Sequence, residues 1–269
     1  MLDLGSYVVL LGGIIYFFVF ILGLILGSFL NSWMWRVRDN IKILSNSRSM
    51  CPNCRYQLAW YENIPVISWL ALRAHCRNCK KTIHWSYPVV ELSSGLLMMY
   101  IVQQHLKLVH FSEWTLLRDV SFLTLLIIIF VYDLRYKIIL SRVVWAGTII
   151  GLLINIFVLN FSADTYLLGM IIGGGFFLLQ FVISRGRWIG GGDVRMGVMM
   201  GAWLGWQNTL LALFIAYVLG ALIGLGLMLF KKVDGKTEVP FGVFLVVGTL
   251  VALYHGTTII NWYVNLIGF

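Results

Sequence analysis

Long blocks of mostly apolar residues alternate with short polar stretches along the chain. A membrane-spanning helix needs about 20 such residues. Eight blocks approach that length, at residues 7–30, 88–106, 115–132, 143–159, 166–183, 194–206, 208–230 and 241–261. The sixth is short, and a tilted or half-buried helix is the alternative for it. The pattern predicts an all-α polytopic membrane protein with about eight transmembrane helices. The first block has no basic leader, is too long for a cleaved signal, and is followed rather than preceded by positive charge, so a retained helix is expected. One polar gap, 31–87, is long enough to form a small soluble insert. The expected organisation is a first transmembrane helix within 1–30, a cytoplasmic insert at 31–87, and a transmembrane core at 88–269.

Composition agrees with this pattern. The 269 residues are 60% hydrophobic and 12% charged, against about half and a quarter in soluble proteins. Eleven Trp and 12 Tyr suit a protein with two water–lipid interfaces. The net charge of +9 does not indicate nucleic acid, because the cations flank apolar blocks. In an eight-span arrangement 18 of the 20 Lys and Arg fall on one side. They lie in 31–87, in the 133–142 loop (Arg135, Lys137, Arg142), in the 184–195 loop (Arg185, Arg187, Arg195) and in the 231–240 loop (Lys231, Lys232, Lys236). Only Lys107 and Arg118 fall opposite. The positive-inside rule then puts the four basic segments in the cytoplasm and both termini outside.

All four cysteines lie in the insert, as Cys51-Pro-Asn-Cys54 and Cys76-Arg-Asn-Cys79. Two C-x-x-C turns with 21 residues between them have the spacing of a zinc ribbon or knuckle. Disulfides are disfavoured in a reducing cytosol. Four thiolates close the metal shell, so the expected zinc is structural. An insert of under 60 residues has little core, and a metal would hold it together. His75 precedes Cys76 and could replace a ligand, although a solvated loop histidine is the plainer reading. No H-E-x-x-H motif occurs, which leaves a zinc protease of that type without support.

Only 11 residues are acidic. Asp3, Asp39, Glu62, Glu113, Asp119, Asp164, Asp234 and Glu238 fall in loops, tails or span ends, where a solvated charge is the default. Three differ. Asp133 follows the apolar run Thr124 to Tyr132, Glu91 lies one turn inside the second span, and Asp193 follows Gly190-Gly191-Gly192 and opens another apolar block. Ionisable groups near hydrocarbon are costly and tend to be paired and functional. For Asp133 and Asp193 two readings stand: ion bridges to Arg135 and Arg195, or a carboxylate pair. Two carboxylates in one site share a proton; the ionised member can activate water while the protonated one polarises a carbonyl.

At this point the motifs resemble a family. Gly190-Gly191-Gly192-Asp193 is similar to the G-x-G-D signature of intramembrane aspartyl proteases. Gly27-Ser28-Phe29-Leu30-Asn31, the two C-x-x-C pairs, Trp60-Tyr61-Glu62-Asn63-Ile64-Pro65, Tyr87-Pro88-Val89-Val90-Glu91-Leu92, Asp133-Leu134-Arg135 and Val239-Pro240-Phe241-Gly242 resemble the type IV prepilin peptidases. The resemblance covers about 23 to 250. It departs at Leu140, where the family often has Pro, at Ser32 to Trp35, and at Val243.

The resemblance implies a bacterial inner-membrane endopeptidase that uses Asp133 and Asp193. It would cut the basic leader of prepilins or pseudopilins at the cytoplasmic face. N-methylation of the new N-terminal residue from S-adenosylmethionine would follow. Cys51, Cys54, Cys76 and Cys79 would bind zinc, and Asn31 and Glu91 are candidates for contact with S-adenosylmethionine or substrate. The plainer readings of these two are a helix-end hydrogen bond and an ion pair with a neighbouring Arg. No G-x-G-x-x-G follows a strand, and Gly173-Gly174-Gly175 reads as helix packing rather than a cofactor loop. The expected partners are prepilins, pseudopilins and the lipid bilayer, with no nucleic acid. Because the leader is basic, Glu62 and Glu238 are candidates for its binding. A zinc-stabilised transporter would instead place acids near the bilayer midplane with an internal repeat, and a non-enzymatic pilus or secretion scaffold would not need both aspartates.

Overall fold

A computed structural model describes residues 4–41, 48–107, 111–229 and 240–267, and for 4–11 only the backbone helix. Lys42, Lys231, Lys232, Lys236, Asp3, Asp234, Glu238 and Val239, named above for charge, leader binding or motif, lie outside the described residues. Among those described, the regular structure is helical and no strand forms. Six helices are long and apolar enough to cross a membrane. The chain divides into two compact units, one ending at Ser112 and one beginning at Glu113.

In the first unit, α1 runs from Leu4 to Arg38. Its apolar sequence continues through Trp33-Met34-Trp35, so the helix carries on eight residues past the expected end of the span. Helix α3, Ser86–Leu106, packs antiparallel on α1 through small residues. A Cβ at Gly23 would lie 2.7 Å from Gly95 Cα, and one at Gly27 would lie 2.8 Å from Glu91 Cα. Side-chain-free contact of this kind brings helix backbones together in lipid. Between the two helices sits the insert, with a 3-10 turn at Trp60–Asn63 and the short α2 at Ile67–Ala71.

The second unit contains α4 (Glu113–Tyr136), α5 (Ser141–Leu153), α6 (Ala163–Ser184), α7 (Gly191–Leu229) and α8 (Phe241–Leu266). A π-helical turn, Ile154–Val158, extends α5. Although α7 is 39 residues long, it is broken at Gly205, whose φ of 73° and ψ of 173° are not helical. Gly173 of α6 meets Gly197 on one side of the break and Thr209 on the other. Phe177 likewise meets Gly197, and Tyr217 packs against it. The chain therefore reverses at Gly205, and its two halves both flank α6. This gives the short sixth block its form, a helix of about 14 residues from Gly191 to Leu204.

Backbone contact sets the α6–α7 packing: a Cβ at Gly197 or Gly201 would overlap the Gly173 or Gly169 backbone. Around it lies a core of Phe122, Leu126, Phe177, Met196, Met199, Met200, Trp203 and Leu245. Trp203 stacks on Phe122 with centroids 4.4 Å apart and donates its indole N–H to the Gly147 carbonyl at 2.9 Å. The C-terminal ends of α4 and α6 and the N-terminal ends of α5, α7 and α8 share one end of this unit, which places Asp133 and Asp193 together.

Candidate functional site

Asp133 lies one turn from the end of α4 and Asp193 in the first turn of α7. Both are buried. The two meet around Ile139 in the loop between α4 and α5. A Cβ on Gly192 would press on Ile139 at 3.0 Å; one on Gly242 would lie 2.7 Å from Asp133 Oδ2 and 3.2 Å from Ile139 Cδ1. The carboxylates are near enough to interact electrostatically. Glycine is thus required here for close approach, at position 192 of the triple-glycine run and at 242 of the Pro-Phe-Gly segment. Gly190 and Gly191 have room for a side chain.

Asp193 stands in the first turn of α7 and Asp133 faces the first turn of α8, where partial positive charge favours an anion. Asp193 Oδ2 accepts the Gly190 N–H at 3.1 Å, while the Asp193 N–H donates to the Gly190 carbonyl at 3.1 Å. The Asp133 carboxyl faces the backbone N–H groups of Gly242 and Val243 at the start of α8, yet its Oδ2 is buried without a hydrogen-bond partner. The ion-bridge alternative does not form: Arg195 donates to the Gly191 carbonyl at 2.9 Å and to Ser141 Oγ, and no ion pair engages Asp133 or Asp193 among the described residues. Nor do these acids lie at mid-helix, as a transport path would require. Phe177, Tyr217 and Phe241 build an apolar wall nearby, with Tyr217 and Phe241 centroids 5.1 Å apart. Sequence reasoning missed Tyr217 altogether, because an aromatic inside an apolar block carries no signal. Phe241 was marked only by its motif.

The four cysteines form a second centre, in the other unit. Their Sγ atoms all lie within 4.8 Å of one another, with Cys51–Cys79 and Cys54–Cys76 each at 3.9 Å. Thiolates around a tetrahedral zinc at ~2.3 Å would stand about 3.8 Å apart, whereas disulfide sulfurs lie ~2.05 Å apart. The donor set fits a metal ion. Two knuckles of like design present it. In each, the residue after the second Cys (Arg55, Lys80) adopts positive φ, and its N–H returns to the carbonyl of the first Cys at 3.0 Å. Each knuckle also sends an Asn to the other's sulfur, Asn53 to Cys79 at 3.6 Å and Asn78 to Cys54 at 3.7 Å. The Lys81 amide, then Asn53, holds the Cys79 thiol down to about 6. The Tyr56 amide lowers Cys54, and burial pushes Cys51 up to about 11. His75 is exposed and bonded to the Arg73 carbonyl, outside this centre.

A cavity of about 480 Å³ lies beside the knuckles, with Asn31, Trp35, Glu62, Trp69, Arg77, His84, Tyr87 and Glu91 in its lining. It brings together the two residues expected to contact S-adenosylmethionine or substrate. Asn31 is buried and donates to the Tyr87 carbonyl at 3.2 Å. Glu91 is not ion-paired to an Arg. It accepts the Val66 N–H at 2.8 Å and interacts with Ser28. Val66 has φ 62° and ψ −51°, with the Ile67 N–H bonded to the Pro65 carbonyl at 2.6 Å. That is a γ-turn of the strained, positive-φ kind, held by the Glu91 carboxylate. Glu62 corrects an expectation. It is buried, accepts the Ala59 N–H at 2.8 Å and stands 3.8 Å from Arg77. A carboxylate enclosed in this way is neither a solvated loop charge nor free to receive a basic leader. Asp119 is another, buried and paired with Arg118 at 2.7 Å.

Residues 21–105 match the model of the bacterial peptidase A24 N-terminal domain, and residues 120–225 match the type IV leader peptidase family. A prepilin leader peptidase/N-methyltransferase of Stutzerimonas stutzeri is 31% identical over 91% of this chain and 92% of its own. The protein of that name in Pseudomonas aeruginosa is 29% identical over 93% of both chains. One in Myxococcus xanthus is 36% identical over 79% of this chain and 63% of its own. No solved structure matches the chain at a significant level.

Proposed function

The chain belongs to the type IV leader peptidase family, and we propose on that footing that it cuts the leader from prepilins or pseudopilins with Asp133 and Asp193 as an aspartyl pair. The observation that carries this is the meeting of the two buried carboxylates across Ile139, Gly192 and Gly242. Two carboxylates so placed titrate as one unit. The ionised member takes a proton from water as the water attacks the scissile carbonyl. The protonated member donates to the carbonyl oxygen, and the tetrahedral adduct then collapses with proton transfer to the leaving nitrogen.

The protein makes eight passes, with both halves of α7 and also α3 counted. The positive-inside rule puts the aspartate end in the cytoplasm of a bacterial inner membrane, since Arg135, Lys137, Arg142, Arg185, Arg187 and Arg195 share that end. Four thiolates hold a structural zinc. After cleavage the enzyme methylates the new amine, and the cavity bearing Asn31 and Glu91 receives S-adenosylmethionine, which supplies an activated methyl group when bound. Its volume lies within the range of small-molecule sites. Asn31 orients a polar group of that ligand, while Glu91 shapes the wall by fixing the Val66 turn.

The test is mass spectrometry of a prepilin incubated with purified enzyme and S-adenosylmethionine. Leader loss plus one methyl group is expected from the parent. Asp133→Asn and Asp193→Asn should each lower cleavage by on the order of a thousandfold or more, with methylation lost because its amine never appears. Undiminished cleavage in either variant would sink the aspartyl reading.

A further inference from the structure

One polar contact lies in the apolar wall beside the carboxylate pair. The Tyr217 O–H, on the part of α7 that follows Gly205, donates to Gln180 Oε1 of α6 at 2.9 Å. The Tyr217 ring is the centre of that wall. On one side lies Phe177, with centroids 6.4 Å apart and planes at 20°. Phe177 in turn meets Gly197, about one turn beyond Asp193. On another side lies Phe241, with centroids 5.1 Å apart, and its neighbour Gly242 approaches Asp133 Oδ2. Phe176 closes a third side at 5.5 Å. Of these four rings Tyr217 alone carries a polar tip. It is only partly buried, and it stands near enough to Asp193 to interact electrostatically.

We infer that Tyr217 is a substrate-binding residue of the cleavage site: its O–H turns from Gln180 to a backbone carbonyl of the segment being cut, next to the scissile bond. The inference rests on the reading of Asp133 and Asp193 as the cleaving pair and deepens it. The physics of the substrate calls for such a donor. A peptide bond reaches two carboxylates and a water only in an opened, extended segment, whose carbonyls and N–H groups have lost their own partners. Beside hydrocarbon each such group is costly until a new partner takes over. Phe176, Phe177 and Phe241 offer none. The Tyr217 O–H is a donor, and a carbonyl is the backbone group it serves. Its resting bond does not prevent the exchange, because side-chain hydrogen bonds between membrane helices are individually weak. The three aromatic neighbours fix the ring, while the hydroxyl hydrogen rotates. The plainer role for the pair is glue between α6 and α7. Glue makes Tyr217 and Gln180 equivalent, whereas a substrate contact through the hydroxyl makes them opposites: one supplies the bond and the other competes for it.

The test compares the purified full-length enzyme in detergent with Tyr217→Phe, Gln180→Leu and Asp193→Asn, each cleaving a prepilin over a range of concentrations. Tyr217→Phe keeps the ring and its stacking, so the fold is retained. Both Tyr217→Phe and Gln180→Leu break the bond between α6 and α7, and their unfolding midpoints should agree. The proposed contact forms only once the segment is open, so its loss falls on kcat and leaves KM near the parent value. Tyr217→Phe should lower kcat about tenfold. Gln180→Leu frees the hydroxyl and should cleave at least as fast as the parent. A kcat for Tyr217→Phe within about twofold of the parent, or a fall as large in Gln180→Leu, overturns the inference. Parent-rate cleavage by Asp193→Asn is a separate outcome: it overturns the aspartyl reading, while the difference between the Tyr217 and Gln180 variants still decides the contact.

Discussion

The two units solve the problem of order in opposite ways. In the second, glycines let helices touch backbone to backbone, as at Gly173 and Gly197 or Gly169 and Gly201, and a continuous apolar core surrounds the contact. The insert of the first unit has almost no buried apolar side chains of its own. It is held by four sulfurs, two asparagines that cross between knuckles, and the buried carboxylates Glu62 and Glu91, each accepting a backbone N–H. In lipid the hydrophobic effect gives helices no reason to associate, so shape does the work. In a water-exposed insert too small for a core, directed polar bonds do it, with four cysteines placed so that they could hold a metal ion.

The contrast can be broken from either side, and metal removal should do so most strongly. Binding of a structural zinc is folding free energy, about 10 kcal/mol or more. A strong chelator, or Cys76→Ser, should raise tryptic cutting after Arg55 and Arg77 at least about tenfold, while fragments from the second unit appear at the parent rate. Equal loosening of both units would deny the division. Next comes Gly201→Leu, which forces α6 and α7 apart. A loss on the order of 4 kcal/mol, read as a collapse of the monodisperse peak in gel filtration, is expected with zinc content per folded chain retained. Glu91→Ala should be milder. It strands the Val66 N–H for about 1–3 kcal/mol and relaxes the strained turn, so that S-adenosylmethionine binding by equilibrium dialysis weakens about tenfold. The smallest effect belongs to Asn155→Leu, which removes a hydrogen bond of 3.0 Å to the Ala202 carbonyl. About 1 kcal/mol should be lost, visible as a lower unfolding midpoint.

Much of this was legible in the order of residues, and the limits have physical causes. Apolar blocks marked the helices because hydrocarbon tolerates little else. The cysteine spacing marked a cluster that could hold a metal ion, because two turns can aim four thiolates at one point. The residues alone left Asp133 and Asp193 between ion bridges and a carboxylate pair, and the motif resemblance decided for the pair: they are 60 positions apart, and their meeting depends on Gly192 and Gly242 admitting Ile139. Helix α1 runs on to Arg38, past the span expected to end at residue 30, since Trp33 to Trp35 continue the apolar run. Burial of Glu62 and Asp119 could not be read either. A carboxylate in a polar stretch looks solvated until the chain folds around it. The short sixth block was visible, but not its cause, for nothing sets Gly205 apart in sequence from the many glycines that merely pack.

That reversal carries a consequence for the surrounding lipid. At 1.5 Å per residue the helix from Gly191 to Leu204 spans about 21 Å, some 9 Å less than a ~30 Å hydrocarbon layer. With Asp193 at one surface, the chain turns back before it reaches the other. The carbonyls freed there are met by Asn155 on Ala202 and by the Thr209 hydroxyl on Gly205, at 2.6 Å. Such a helix makes the protein sensitive to membrane thickness, and phospholipids with shorter acyl tails should suit it better than long ones. The protein would then sort by acyl length, favouring the thin patches of its membrane.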